Sequence, residues 1–160
     1  MKRKGYTLLM AACALTTVLM TVIVVNAKPL YGEMALYKPA IGPPHPDGYS
    51  LSWSGTISGD INGKIYFYNT GRVIVGNVKH FWEVWLITDD SGNMLLKGTD
   101  KGVVSLANMK FRMNGEVTDA ASQYEHLIGR NVHMSGCVIS ISSTVKQAPG
   151  VFRVMPSQVH

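Results

Sequence analysis

The sequence predicts an all-β protein: a single antiparallel β-barrel of about eight strands with one short helix, preceded by an N-terminal signal or anchor helix. Short β-prone segments alternate apolar and polar residues with a period of two, which is typical of half-buried strands. Turn-forming Gly, Asn and Asp clusters separate them at regular spacing, in a chain of 160 residues with 16 glycines. A sandwich of two sheets would fit the same pattern. We favour the barrel because closure removes exposed strand edges.

Residues 1–27 have the layout of an export signal. Basic residues 2–4 precede an uncharged stretch from Gly5 to Val25, and the small residue Ala27 ends a cleavage motif. The uncharged stretch approaches the ~20 residues that span a bilayer. The segment is therefore either a signal peptide cleaved after Ala27 or a retained signal anchor. Both alternatives place the rest of the chain outside the cytoplasm, secreted or on the outer face of the cytoplasmic membrane.

The charge of the chain argues against a nucleic-acid partner. The formal net charge is +5, but Lys2, Arg3 and Lys4 belong to the export segment. The remaining basic residues are scattered, whereas nucleic-acid binding needs them clustered on one face. We expect contact with a membrane only through an uncleaved N-terminal helix.

Residues 28–48 are expected to form a Pro-rich arm or linker before the barrel domain at 49–160. Most of the seven prolines lie in this segment, and proline removes backbone donors from a sheet. A short strand at 33–37 fits between the prolines. The arm could also pair with the sheet edge of a neighbouring chain, which would permit self-association.

From Tyr49 onward the chain alternates strands and turns. Asn62-Gly63 is a strong hairpin signal, because both residues tolerate a positive φ. Further turns are predicted at 69–71, 89–92 and 98–102, and 114–115 is either a hairpin or a bulge. The strands between them are predicted at 51–57, 64–68, 72–76, 79–88, 93–97, 103–106 and 109–113.

The C-terminal third carries the one helix and the last strands. Asp119 is a candidate N-cap, Tyr124, Leu127 and Ile128 form one apolar side, and Gly129 is a stop signal. Alternation resumes over 131–142, and a last strand is predicted at 148–154.

Glycine and turn signatures stand in five segments of the chain, 54–59, 81–85, 98–102, 111–119 and 127–136. Together these segments resemble a group of small exported microbial proteins whose general look is similar to the eight-stranded barrels of allene oxide cyclase and dirigent proteins. The resemblance covers residues 50–155 and implies a fold, since glycine and turn signatures specify a fold better than an activity. No catalytic residue of either family matches a position here.

Alternation on the strands indicates a ligand site inside the barrel. Glu83 shares a strand face with Phe81, Trp85 and Ile87, and a charge on an apolar face must be paired or solvated. A polar-lined cavity would result if other polar side chains pointed the same way. Alternatively, Glu83 and Arg112 form an ion pair that faces water. The predicted ligand-binding residues are Tyr66, Glu83, Trp85, Arg112 and His133.

No metal site, cofactor or catalytic motif is predicted. The five histidines lack the spacing of zinc ligands. Cys137 is the one cysteine beyond the export segment, and we expect it to be a small buried apolar residue.

Three functions remain open. The first is an exported non-catalytic barrel of the cell envelope or extracellular space that binds a small apolar ligand. The second is a structural subunit of an extracellular filament or layer, assembled through the arm at 28–48. The third is an isomerase of the allene-oxide-cyclase kind. Unless this third alternative holds, we expect the chain to lack enzymatic activity.

Overall fold

The fold, in a computed structural model that describes residues 28–156, is a closed antiparallel barrel. Each strand pairs with the next along the chain as far as the seventh, and the last strand then pairs with both the seventh and the first. The predicted all-β barrel of eight strands is thereby confirmed, with one short extra strand. The strands are β1 Leu30–Lys38, β2 Ser50–Gly59, β3 Gly63–Val75, β4 Val78–Thr88, β5 Met94–Ser105, β6 Lys110–Ala120, β7 Asn131–Cys137, β8 Ile139–Ser140 and β9 Lys146–Val154.

The expectation of an arm at 28–48 is wrong for its first half. Leu30–Lys38 is the barrel strand β1, with β2 on one edge and β9 on the other. Its prolines do not interrupt the ladder because Pro29 precedes the strand and Pro39 follows it. The short strand predicted at 33–37 is the centre of β1.

Residues 39–49 form a loop that packs against the outside of the barrel. The Tyr68 hydroxyl donates a hydrogen bond to the Pro43 carbonyl oxygen at 3.0 Å, and the Ile41 amide donates one to Ser54 Oγ at 2.8 Å. The loop therefore belongs to the folded domain.

Three predicted turns lie inside strands instead. Asn69–Gly71 is a bulge in β3, Gly98–Gly102 is the middle of β5, and Asn114-Gly115 continues β6 without a break. In the barrel interior, Gly98 lies under the ring of Trp85 and Gly102 under that of Phe81, where a Cβ would collide with the ring. These two glycines make room for large side chains and do not turn the chain.

The interior is packed with apolar side chains from every barrel strand. Trp85 is fully buried and meets Phe152 edge-to-face, with ring centroids 5.3 Å apart.

The hairpin at Asn62-Gly63 is confirmed between β2 and β3. The expected helix is one 3-10 helix, Ser122–Leu127, which Asp119 does not cap because it lies within β6. The predicted signal or anchor helix lies outside the described residues.

The two ends of the barrel differ in their connections. The cavity end, as we call it, carries the connections 39–49, 76–77, 106–109 and 138–145. The opposite end carries 60–62, 89–93 and 121–130, together with the start of β1 at Leu30.

Candidate functional site

The barrel separates the five predicted ligand-binding residues into two groups. Glu83 and Trp85 point into the interior and are buried. Tyr66 points outward and is covered by the loop at 39–49, since Gly42 lies against its ring. Arg112 and His133 are exposed on the outer face, where the His133 ring bonds Asn114. The prediction of one cavity lined by all five is therefore wrong, because the register of β3, β6 and β7 turns three of them outward.

A cavity of about 200 Å³ opens at the cavity end. Its wall is mostly aromatic and aliphatic, and includes Phe67 and Phe81 on one side and Phe111 and Met113 on the other. The remaining lining residues are Leu36, Lys38, Trp53, Lys79, Glu83, Val104, Leu106, Met109, Val138, Lys146 and Ala148.

Three lysines line the cavity near its mouth. Lys38 ends β1, Lys146 begins β9 directly opposite it, and Lys79 lies near the start of β4. The Lys38 Nζ lies 5.9 Å from the centroid of the Trp53 ring, and the Lys79 Nζ lies at the same distance from that of Phe81. Burial against this apolar wall lowers the pKa of Lys79. The charge of Glu83 opposes that shift, and the nearby cations Lys38, Arg72 and Lys146 add to it. The mouth is thus an electropositive, partly desolvated ring.

Glu83 supplies an acidic group within this cavity. Burial raises the pKa of its carboxyl group, while the Ser52 hydroxyl and the charges of Lys79 and Lys38 oppose that shift. Ser52 Oγ lies 2.6 Å from Glu83 Oε1 and 3.0 Å from the Phe67 carbonyl oxygen. One hydroxyl hydrogen can serve only one of these two oxygens. A protonated Glu83 can donate to Ser52 Oγ, which leaves the Ser52 hydroxyl free to donate to Phe67.

Asp100 is a second buried carboxyl, and it faces Glu83 directly. The two residues are register partners on β4 and β5 with their side chains in the interior, and each is only 6% exposed. Neither carboxyl oxygen of Asp100 has a hydrogen-bond partner in the described structure. Burial, together with the charge of Glu83, raises the pKa of Asp100 to about 8. Two facing acids that are both buried do not both ionise readily, so Asp100 retains its proton near neutral pH.

Asp100 escaped the sequence analysis because 98–102 was assigned to a turn. The signal was nevertheless there, since Leu96, Gly98, Asp100 and Gly102 alternate with polar residues and occupy the inner face of β5. No pattern in the sequence predicted that Lys38, Lys79 and Lys146 would surround one cavity mouth. These lysines come together only because the ends of β1, β4 and β9 meet at one end of the barrel.

Within residues 28–156, no three His, Cys, Asp or Glu side chains come close enough to hold a metal ion. None of the helical segments in that range is long and apolar enough to span a membrane. Cys137 is a free, partly exposed thiol at the end of β7.

Comparison with known proteins does not assign the chain to a family. No protein-family model matches it, and neither does any curated protein or solved structure. The fold and the site therefore define its class: a small closed antiparallel barrel with an apolar cavity at one end, lysines at the cavity mouth and two carboxyls in the interior.

Proposed function

We propose that this protein is an exported, non-catalytic barrel that binds one small, mostly apolar molecule with an acidic group. The observation that carries the proposal is the cavity, whose wall is apolar and whose mouth holds Lys38, Lys79 and Lys146. Binding pockets commonly combine an apolar wall with a few placed polar groups.

The volume supports a ligand of about one ring or a short chain. At about 200 Å³ the cavity is somewhat larger than a dry cavity of roughly 150 Å³ that admits benzene. It is smaller than the roughly 300–1,000 Å³ typical of pockets for drug-sized ligands.

The polar groups support an orientation for that ligand. An acidic group at the mouth would meet the three ammonium groups, whereas deeper in the cavity it would face Glu83 and be repelled once that residue ionises. The apolar part would then lie against Phe67, Phe81 and Phe111.

Calorimetric titration with octanoate and with 1-octanol tests this proposal. Both have an eight-carbon chain, and only octanoate carries a negative charge. We expect both to bind and octanoate to bind more tightly. Lys79→Gln should weaken octanoate binding by about threefold, as expected for a partly exposed charge pair, and leave 1-octanol binding unchanged.

Adjacent valines on opposite faces of β5 supply a matched pair of variants. Val104 lines the cavity and Val103 lies on the outer face. Val104→Phe should fill the mouth and abolish binding of both probes, while Val103→Phe should bind as the parent does. Equal binding by both variants, each folded by circular dichroism, would place the ligand elsewhere.

Glu83 favours a second candidate, an isomerase. A buried acid with a raised pKa beside an apolar cavity can transfer a proton. Replacing Glu83 by Gln keeps the shape and removes the proton-transferring group. If a ligand recovered from the native protein is converted by the parent and not by this variant, the non-catalytic proposal is wrong.

Export is part of the proposal and rests on residues 1–27. Mass spectrometry of the native protein should find an N-terminus at Lys28 if the signal is cleaved and at Met1 if it is retained as an anchor. The filament alternative receives less support, because both edges of β1 are paired inside the barrel. A monomer at high concentration in light scattering would contradict that alternative.

A further inference from the structure

Exposed apolar side chains are concentrated toward the cavity end of the barrel. Ile74 and Val75, at the tip of the β3–β4 hairpin, are 61% and 62% exposed. Leu106, Ile139 and Ile141 are exposed on the other connections around the mouth. Ile41, the most exposed large apolar residue in residues 28–156, lies apart from these on the outer wall of the barrel, where its amide donates to Ser54 Oγ in the middle of β2. At the opposite end, Ile128 is the one exposed large apolar residue among the described connections.

The two ends also differ in charge. The opposite end carries both signs, since Asp60, Asp89, Asp90, Glu125 and Arg130 lie in its connections and Lys28, Lys64 and Arg153 lie near its strand ends. The cavity end carries cations on the strand ends around the mouth, and in the described connections there Asp47 is the single carboxylate. The cations are Lys38, Arg72, Lys79, Lys110 and Lys146.

We propose that the cavity end docks onto an anionic phospholipid bilayer, with the connection tips inserted among the lipids and the cations at the level of the headgroups. The proposal rests on this surface and not on the proposed ligand. It applies to the chain cleaved after Ala27, because β1 starts at the opposite end and a retained anchor would hold that end at the membrane.

The geometry favours a bilayer over other occupants. The apolar tips belong to separate connections spaced around the mouth, and a flat, deformable surface can contact all of them at once. A second copy of this chain would bring two rings of cations together, which is unfavourable. Lysine side chains extend to lipid headgroups while their aliphatic stems remain among apolar groups.

Aromatic side chains lie where the rim of such a contact would be. Tyr37 and Tyr49 are exposed at the cavity end, at 43% and 39%, and Trp82 is 44% exposed near the middle of β4. Tyr and Trp are favoured at the membrane–water interface because one part of each is apolar and the other polar. The cavity opens onto the same surface, so an apolar ligand could exchange with the bilayer without crossing water.

Vesicle co-sedimentation tests the proposal with a chain that begins at Lys28. All the strand pairings of the barrel lie between Leu30 and Val154, so this chain contains the whole closed sheet. We expect it to bind vesicles made of equal parts phosphatidylglycerol and phosphatidylcholine, and not vesicles of phosphatidylcholine alone. Binding should weaken as salt increases.

Variants at the two ends distinguish insertion of apolar side chains into the bilayer from nonspecific adsorption of the protein to vesicles. Ile74→Ser should weaken vesicle binding about tenfold, since it removes an inserted apolar side chain, while Ile128→Ser, at the opposite end, should not change it. Lys146→Gln should weaken binding about fivefold, the effect of one cation near an anionic surface, and Lys64→Gln should have little effect.

Three results would overturn the proposal. They are absence of binding to the anionic vesicles, equal losses from Ile74→Ser and Ile128→Ser, and a dimer in light scattering that Ile74→Ser converts to a monomer. The last would identify a second copy as the occupant. Because these measurements use no cavity ligand, failure of the ligand proposal leaves their outcome unchanged.

Discussion

Asp100 and Glu83 face each other across β4 and β5, and what each does follows from its surroundings. Glu83 has the Ser52 hydroxyl and two lysines nearby to favour its charge, while Asp100 has no polar partner in the described structure. Asp100 therefore keeps its proton to a higher pH than a free aspartate does, up to about pH 8. The pair acts as one coupled proton-binding unit.

Asp100 makes stability depend on pH. Below pH 3.8 its carboxyl is protonated in the folded and unfolded states alike. Above that value the unfolded chain loses the proton, whereas the folded chain keeps it until about pH 8. The folded state binds more protons in this interval, so the free energy of unfolding falls as the pH rises, by on the order of 5 kcal/mol in total.

Asp100→Asn should make the slope shallower, because the amide does not titrate, and the slope that remains belongs to Glu83, whose pKa burial also raises. Urea unfolding followed by circular dichroism at several pH values between 4 and 8 checks this. Asp90→Asn, at an exposed turn position, is the control and should keep the parent slope. A slope equally steep in Asp100→Asn would mean that Asp100 ionises freely in the fold.

Strand β5 carries two glycines on its inner face that leave room for aromatic side chains of β4. Gly98 and Gly102 point inward and leave the space that the Trp85 and Phe81 rings occupy. Asp100 lies between them, so β5 places one carboxyl between two aromatic groups. The strand thereby shapes both the core and the base of the site.

Gly98→Ala should destabilise the protein by about 3 kcal/mol, since the added methyl collides with the Trp85 ring and the Glu116 carbonyl oxygen. Gly71→Ala is a matched control in the bulge of β3, where the nearest atom to the added methyl, in the Trp82 ring, is 3.4 Å away. Thermal unfolding compares the two. Similar melting temperatures for both variants would contradict the packing argument.

The whole molecule depends on closure between β1 and β9. This pairing runs through nine register partners from Leu30–Val154 to Lys38–Lys146, and it leaves no open edge on either strand. Without β1, both β2 and β9 would expose an unpaired edge, and the interior side chains Met34 and Leu36 would be lost.

A chain that begins at Pro39 should therefore fail to fold cooperatively, whereas one that begins at Lys28 should unfold in a single transition. Far-UV circular dichroism and urea unfolding of the two chains make the comparison. A cooperative transition of equal midpoint in both would mean that 28–38 is a dispensable arm, as the sequence alone had indicated.

Much of the strand pattern was predictable from local chemistry. The alternation in 79–88 placed Glu83 and Trp85 on one face, and Asn62-Gly63 placed a hairpin between β2 and β3, although Asn62 does not adopt a positive φ there. Both predictions concern neighbouring residues, so no knowledge of the partner strand was needed. The glycines at 98 and 102 were misassigned because their reason, two aromatic rings on other parts of the barrel, is not local.

The sequence by itself determined that the chain forms strands of period two, and which residues of β4 share a face. Tertiary structure alone decided that β1 closes the sheet, that Asp100 meets Glu83, and that Lys38, Lys79 and Lys146 surround one mouth. The physical reason is that period and turn preference act between neighbours in the chain. Register and closure act between strands that are distant in the chain, where a shift of one residue sends a side chain to the opposite face.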